Sequence, residues 1–247
     1  MKRTKDLLLL LLVVPVFISA VLPDRKIRLY MMGDSTMANK VAAVYPETGW
    51  GQVLQQYFDD RVTVDNRAQN GKSTKSFIAE HRWQRILDSL KAGDYVIIEF
   101  GHNDEKVDKP GVGATLDEYR ANLIMFVDSI RARCAFPLLL TPIMRRSFAN
   151  GVFHDTHGKY PDVVREVAKT YHVPLIDMHR KSEKLLISLG DEASKTLFNW
   201  ADSGVYTGFP AGVKDNTHLN PKGANAMAGL AVEGIRELDL PLAKYLK

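Results

Sequence analysis

Apolar and polar residues follow two rhythms along this chain. Short, almost unbroken apolar runs occur at 27–32 (IRLYMM), 62–65 (VTVD), 95–100 (YVIIEF), 137–141 (PLLLT) and 174–176 (PLI). Runs of that length predict strands, and strands apolar at nearly every position predict burial on both faces. Between them the apolar positions fall three and four apart, the spacing of helices. Residues 48–58 place Trp50, Val53, Leu54, Tyr57 and Phe58 on one face; residues 115–133 do so with Leu116, Tyr119, Leu123, Phe126, Val127 and Ile130. Thr115 and Glu118 have the spacing of a capping box at the start of that second helix. Pro161 suits the first turn of a helix through Tyr171. Asn220-Pro221 reads as the cap and first residue of a last helix, with Met227, Leu230, Ala231, Ile235 and Leu238 as its apolar face.

Strands alternating with helices predict an α/β fold, a three-layer α/β/α sandwich around a parallel sheet of about five strands in flavodoxin-like order. Ligands of such sheets bind outside the carboxyl ends of the strands. Four polar stretches fall there and should share one rim: Gly33-Asp34-Ser35, Asn66 to Gly71, Gly101-His102-Asn103-Asp104, and the loop after Thr141.

Composition adds a compartment. The 247 residues are 45% hydrophobic and 25% charged, as in soluble globular proteins, and are enough to bury a core without metals or disulfides. Lys2, Arg3 and Lys5 precede an apolar stretch, Leu7 to Ile18, that ends in Ser19-Ala20. That is the layout of a signal peptide over residues 1–20, with an uncleaved anchor as the alternative. Twelve apolar residues are fewer than the roughly 20 a membrane helix needs. The expectation is an exported protein, periplasmic or extracellular, with one domain over 21–247 and no stable membrane insertion after cleavage.

The leader carries Lys2, Arg3, Lys5 and Asp6, a net +2, which leaves +2 of the chain's +4. So small a charge, without long Lys/Arg runs, gives no footprint for nucleic acid. The single cysteine, Cys134, has no partner for an internal disulfide and is expected to be a buried, inert thiol at a helix end.

Each rim motif is weak alone. Ser35 follows a strand at what reads as a strand-to-helix turn, so it is either a nucleophile or an N-cap. GHND, 101–104, offers the Asn103 amide, yet such stretches also make self-bonded turns. NRAQNG, 66–71, ends in Gly71, whose N–H could face the rim. DNTH, 215–218, puts Asp215 three residues before His218, where a carboxylate can fix an imidazole tautomer and leave the other nitrogen as base.

Together, in chain order, GDST, Gly71, GHND and DNTH resemble the SGNH, or GDSL-type, hydrolase superfamily across almost the whole chain after the leader. AQNGKSTKSF, EFGHND and DNTHLNPKGA are most similar to its rhamnogalacturonan acetylesterase family of carbohydrate esterases. The resemblance implies the SGNH hydrolase fold and a metal-free, cofactor-free acetylesterase acting on acetylated polysaccharide or oligosaccharide, here pectic rhamnogalacturonan. It implies Ser35 as nucleophile and also cap, His218 as base, and Asp215 as its orienting acid. The Ser35 and Gly71 backbone N–H groups and the Asn103 amide would form the oxyanion hole. Two rivals stand beside it: a lipase, lysophospholipase or thioesterase of the same superfamily, and a non-catalytic carbohydrate-binding protein.

Other signals lead elsewhere. NGKST, 70–74, lacks the first glycine of a phosphate loop, because Asn66 stands there. His154, Asp155 and His157 lack the third strong ligand of a zinc site and are expected to border the substrate cleft instead. The segment 199–216 reads as a long loop whose Trp200, Tyr206 and Phe209 pack beneath it or stack on sugar rings. His81, His102, His172 and His179 have no evident partner, although His102 adjoins the rim.

Overall fold

The computed structural model describes residues 25–247, so the leader expected at 1–20 lies outside the described residues. In chain order the elements are β1 (Ile27–Gly33), α1 (Trp50–Val53), β2 (Val62–Asn66), α2 (Thr74–Ala79), α3 (Arg82–Ser89) and β3 (Tyr95–Glu99). Next come α4 (Leu116–Ala132), β4 (Phe136–Leu140), β5 (Phe148–Ala149), β6 (Val152–Phe153), α5 (Tyr160–Thr170) and β7 (Leu175–Ile176). The chain ends with α6 (Met178–Ser194), β8 (Phe198–Ala201), β9 (Val213–Leu219) and α7 (Pro221–Glu237).

Five strands form one parallel sheet in the order β2-β1-β3-β4-β7, the flavodoxin-like arrangement. The sheet explains its own strand sequences. Successive side chains of a strand point to opposite faces. Leu29 and Met31 of β1, with Tyr95 and Ile97 of β3, enter the core under α1, α6 and α7. Tyr30, Met32, Val96 and Ile98 enter the second core, under α2, α3, α4 and α5. A strand between two helical layers has no polar face to show.

The helix ends follow their local chemistry. Thr115 Oγ1 accepts from the Glu118 N–H, and the Glu118 carboxylate accepts from the Thr115 N–H, closing the predicted capping box. Asn220 Oδ1 accepts from the Gly223 N–H at the start of α7. The segment 48–58 is α1 followed by a 3-10 turn at Leu54–Tyr57, with Trp50, Leu54 and Phe58 buried.

Three expectations need correction. Cys134 is exposed, not buried. It is the residue after the cap of α4, at φ +53°, where its N–H bonds the Arg131 carbonyl and the Ala135 N–H bonds that of Ile130. Such a reversal turns the side chain away from the core. Leu238 likewise caps α7 and is exposed, so the apolar face of that helix ends at Ile235. The segment 199–216 is no continuous loop: its ends pair as antiparallel β8 and β9, and DNTH lies within β9.

Candidate active site

The site is built where β1 and β3 end. A Cβ on Gly33 would lie 2.6 Å from the Glu99 carbonyl oxygen, so only glycine lets the two strand ends close up. The chain then turns, without entering a helix. Asp34, not Ser35, caps that turn: its Oδ1 accepts from the Thr36 N–H and hydroxyl, both at 2.9 Å. The expectation of a strand-to-helix junction with Ser35 as its cap is therefore corrected. With the capping done by its neighbour, the Ser35 hydroxyl is free to face outward, 2.9 Å from His218 Nε2.

His218 comes from β9, 183 residues away. In a regular strand Asp215 and His218, three apart, would project from opposite faces. The pairing of β8 with β9 is irregular between Phe198 and Trp200, and there Asp215 bonds back to its own strand. Its Oδ1 accepts from the N–H groups of Thr217 at 2.7 Å and His218 at 3.0 Å; its Oδ2 lies 2.7 Å from His218 Nδ1. Burial opposes the Asp215 charge, but the bonds from His218 and Thr217 prevail and lower its pKa from the ordinary carboxylate value. An ionised Asp215 places the imidazole proton on Nδ1 and turns the Nε2 lone pair toward Ser35.

Arg146 anchors this hairpin. Its N–H donates to the Asn216 carbonyl and its Nη1 to Asn216 Oδ1, which also accepts from Trp200 Nε1. Trp200 lies under the guanidinium, 5.3 Å from it. Tyr206 packs edge-on against Tyr45.

The other two rim motifs are stitched to the same corner. The N–H groups of Arg67 and Gln69 bond the carbonyls of Met31 and Gly33 at the end of β1. Gly71 follows at φ +72°, a conformation that favours glycine, with open space where a Cβ would stand. One residue on, the Lys72 carbonyl accepts from Asn103 Nδ2 at 3.0 Å. Among the described residues, the N–H groups of Ser35 and Gly71 donate to no protein acceptor. Gly101, at φ +150°, lets β3 turn into GHND: a Cβ there would lie 2.8 Å from Pro142 Cγ.

Beneath the rim lies a layer of buried titratable groups that the sequence alone did not single out. Asp34 Oδ2 approaches His102 Nδ1 at 3.3 Å. Burial opposes the Asp34 charge, yet His102 and the two Thr36 donors hold its pKa down at about 2. Burial lowers His102 to about 4, against the pull of Asp34, and keeps it neutral. Glu99 accepts from Trp50 Nε1 at 2.7 Å and the Ile143 N–H at 3.0 Å; burial and then Asp34 push it up to about 8. Burial also raises Asp104 to about 7, although its Oδ1 accepts from the Thr74 N–H and hydroxyl.

The loop expected to border the cleft divides in its burial. His154 is exposed, but His157 is buried and structural: Nδ1 faces Glu105 at 3.0 Å and Nε2 faces the Ile143 carbonyl at 2.9 Å. It packs edge-on against His102 at 4.6 Å. Asp155 Oδ1 instead approaches His179 Nε2 at 3.2 Å.

The chain is similar in sequence and in fold to known proteins. Residues 31–226 match the model of the GDSL-like Lipase/Acylhydrolase family. Rhamnogalacturonan acetylesterase RhgT of Bacillus subtilis (strain 168) is 40% identical over 223 residues, 90% of this chain and 95% of that protein. The crystal structure of YxiM from Bacillus subtilis superposes with a TM-score of 0.75 at 25% identity, covering 87% of this chain and 58% of that one. Axe2, an acetylxylan esterase from Geobacillus stearothermophilus, shares the fold at a TM-score of 0.61 and 19% identity, over 88% of this chain and 96% of its own.

Proposed function

The chain belongs to the GDSL-like Lipase/Acylhydrolase family, and from that premise we propose an exported serine esterase that removes acetyl groups from pectic rhamnogalacturonan. The observation that carries the mechanism is the line from Ser35 Oγ through His218 to Asp215, with links of 2.9 and 2.7 Å. The likeness to RhgT supports the substrate; the leader at residues 1–20 supports export.

Ser35 Oγ attacks the acetyl carbonyl carbon while His218 Nε2 takes its proton, and Asp215 stabilises the imidazolium. The carbonyl oxygen becomes an oxyanion, held by the N–H groups of Ser35 and Gly71 and by Asn103 Nδ2. Collapse breaks the bond to the sugar oxygen, which leaves with the proton from His218. Water, deprotonated by the same nitrogen, then hydrolyses the acetyl-Ser35 ester to acetate. A protein that merely bound carbohydrate would have no need of an imidazole lone pair aimed at a serine hydroxyl.

Acetate release from acetylated rhamnogalacturonan, acetylated xylan and a small aryl acetate tests this reading, with an octanoyl ester as the lipase control. Release from the pectic polymer, abolished by Ser35→Ala, supports it. Cleavage of the aryl ester alone refutes the polysaccharide assignment; faster octanoyl cleavage favours the lipase; activity that survives Ser35→Ala overturns the mechanism.

A further inference from the structure

An oxyanion hole that includes a side-chain amide has a problem the backbone donors lack. An amide can turn over about its last torsion and present its oxygen, an acceptor, where the donor is needed. In this protein both ends of the Asn103 amide are held. Oδ1 accepts from Lys106 Nζ at 2.7 Å, and Nδ2 donates to the Lys72 carbonyl at 3.0 Å. The two partners have opposite and fixed polarity. An ammonium only donates and a carbonyl only accepts, so the turned-over amide would meet a repulsion at each end.

Lys106 is itself held. Its N–H bonds the Asn103 carbonyl at 3.2 Å, and its own carbonyl accepts from the Lys109 N–H at 2.8 Å. A Cβ on Gly113 would lie 2.0 Å from that carbonyl oxygen, so the returning strand of the loop packs directly on it. Burial, then Lys109 and Arg145, lower the pKa of the half-buried ammonium, while Glu105 and Asp34 pull the other way.

We propose that Lys106 is a positioning residue of the reaction, which locks the Asn103 amide with its nitrogen toward the developing oxyanion. The inference rests on the esterase reading above. A cation on the amide oxygen also draws electron density from the nitrogen, which makes the remaining N–H a better donor. Because the oxyanion exists only along the reaction path, the contribution falls on kcat rather than on substrate binding.

The test uses the full protein and a neutral aryl acetate, so that no substrate charge reaches the lysine. Lys106→Met, which keeps the stem and loses the ammonium, is expected to lower kcat about tenfold with KM unchanged, a fraction of the roughly 10² to 10³ expected for Asn103→Ala. Lys106→Arg, which still donates to Oδ1, is expected to recover most of the loss. In an Asn103→Ala background, Lys106→Met should lower kcat by less than about twofold, because the group it acts through is gone. Wild-type kcat in Lys106→Met, an effect on KM alone, or the same loss in both backgrounds overturns the inference. Ser35→Ala, run beside them, separates the two levels: if it abolishes activity while Lys106→Met does nothing, only the inference falls. If Ser35→Ala stays active, or the wild type is inert, the esterase reading falls and takes the inference with it.

Discussion

Replacing Asp215 by asparagine removes one charge and almost no volume, yet the surrounding donors decide which way the new amide must face. Oδ1 of Asp215 accepts two backbone N–H groups, from Thr217 and His218, whereas Oδ2 meets only the imidazole. In Asp215→Asn the single remaining oxygen satisfies either the two backbone donors or the imidazole N–H. Facing the NH2 group toward the backbone leaves two part-buried donors without an acceptor, at about 1–3 kcal/mol each. The oxygen therefore stays on the backbone and the amide nitrogen points at His218 Nδ1. That nitrogen must now accept, the imidazole proton moves to Nε2, and Nε2 faces Ser35 as a donor. A bias of ~2–6 kcal/mol against the productive arrangement corresponds to a fall in kcat between about 30-fold and 10⁴-fold. Initial rates on an aryl acetate near neutral pH measure it, with a thermal melt to show that the variant folds. KM should change little, because Asp215 acts through the imidazole, which it meets at 2.7 Å. If Asp215→Asn keeps kcat within about threefold of wild type, the imidazole is not oriented through Nδ1 and the proposed base is misassigned.

The buried layer under the rim makes two pH predictions of opposite sign. His102 has its folded pKa lowered to about 4, so the unfolded chain, near 6.5, binds a proton first, and stability falls as pH drops from about 6.5 to about 4. At ~1.4 kcal/mol per pH unit the loss approaches ~3 kcal/mol; His102→Gln should flatten urea midpoints across that window, and parallel curves for the two proteins would dismiss it. Asp104 has its folded pKa raised to about 7, so stability is lost as pH rises from about 4 through about 7. Asp104→Asn keeps an oxygen for the Thr74 N–H and hydroxyl, and should gain on wild type between about pH 5 and about pH 7, by up to ~3 kcal/mol; no relative gain over that interval would count against a buried, protonated Asp104.

What could be read from the chain, and what could not, divides by the range of the interaction. Strand and helix identity are local. The apolar runs of β1 and β3 and the Thr115–Glu118 box need only near neighbours, and both are present as read. Asp215 and His218 are local too, three residues apart, and only their meeting with Ser35 required the fold. The buried histidines gave no such signal. His102 finds Asp34 across the β1–β3 junction, His157 finds Glu105 52 residues earlier, and His179 finds Asp155; no spacing rule reaches that far. Glu99 was hidden inside an apolar strand, because its partner Trp50 arrives from a different layer.

The misreading of Ser35 as a cap has another cause. Serine and aspartate are interchangeable caps in sequence statistics, so GDST does not say which of the two turns inward. The fold requires it to be Asp34. A serine that capped the turn would commit its oxygen to a backbone N–H, leaving a poorer nucleophile that faces away from His218. Asp34 has two oxygens, and uses one on Thr36 while the other meets His102 beneath the rim. Its charge can remain buried only because those partners are there. The inward carboxylate and the outward hydroxyl are thus two sides of one turn, and a change of Asp34 should disturb the aim of Ser35 without touching the reacting atoms.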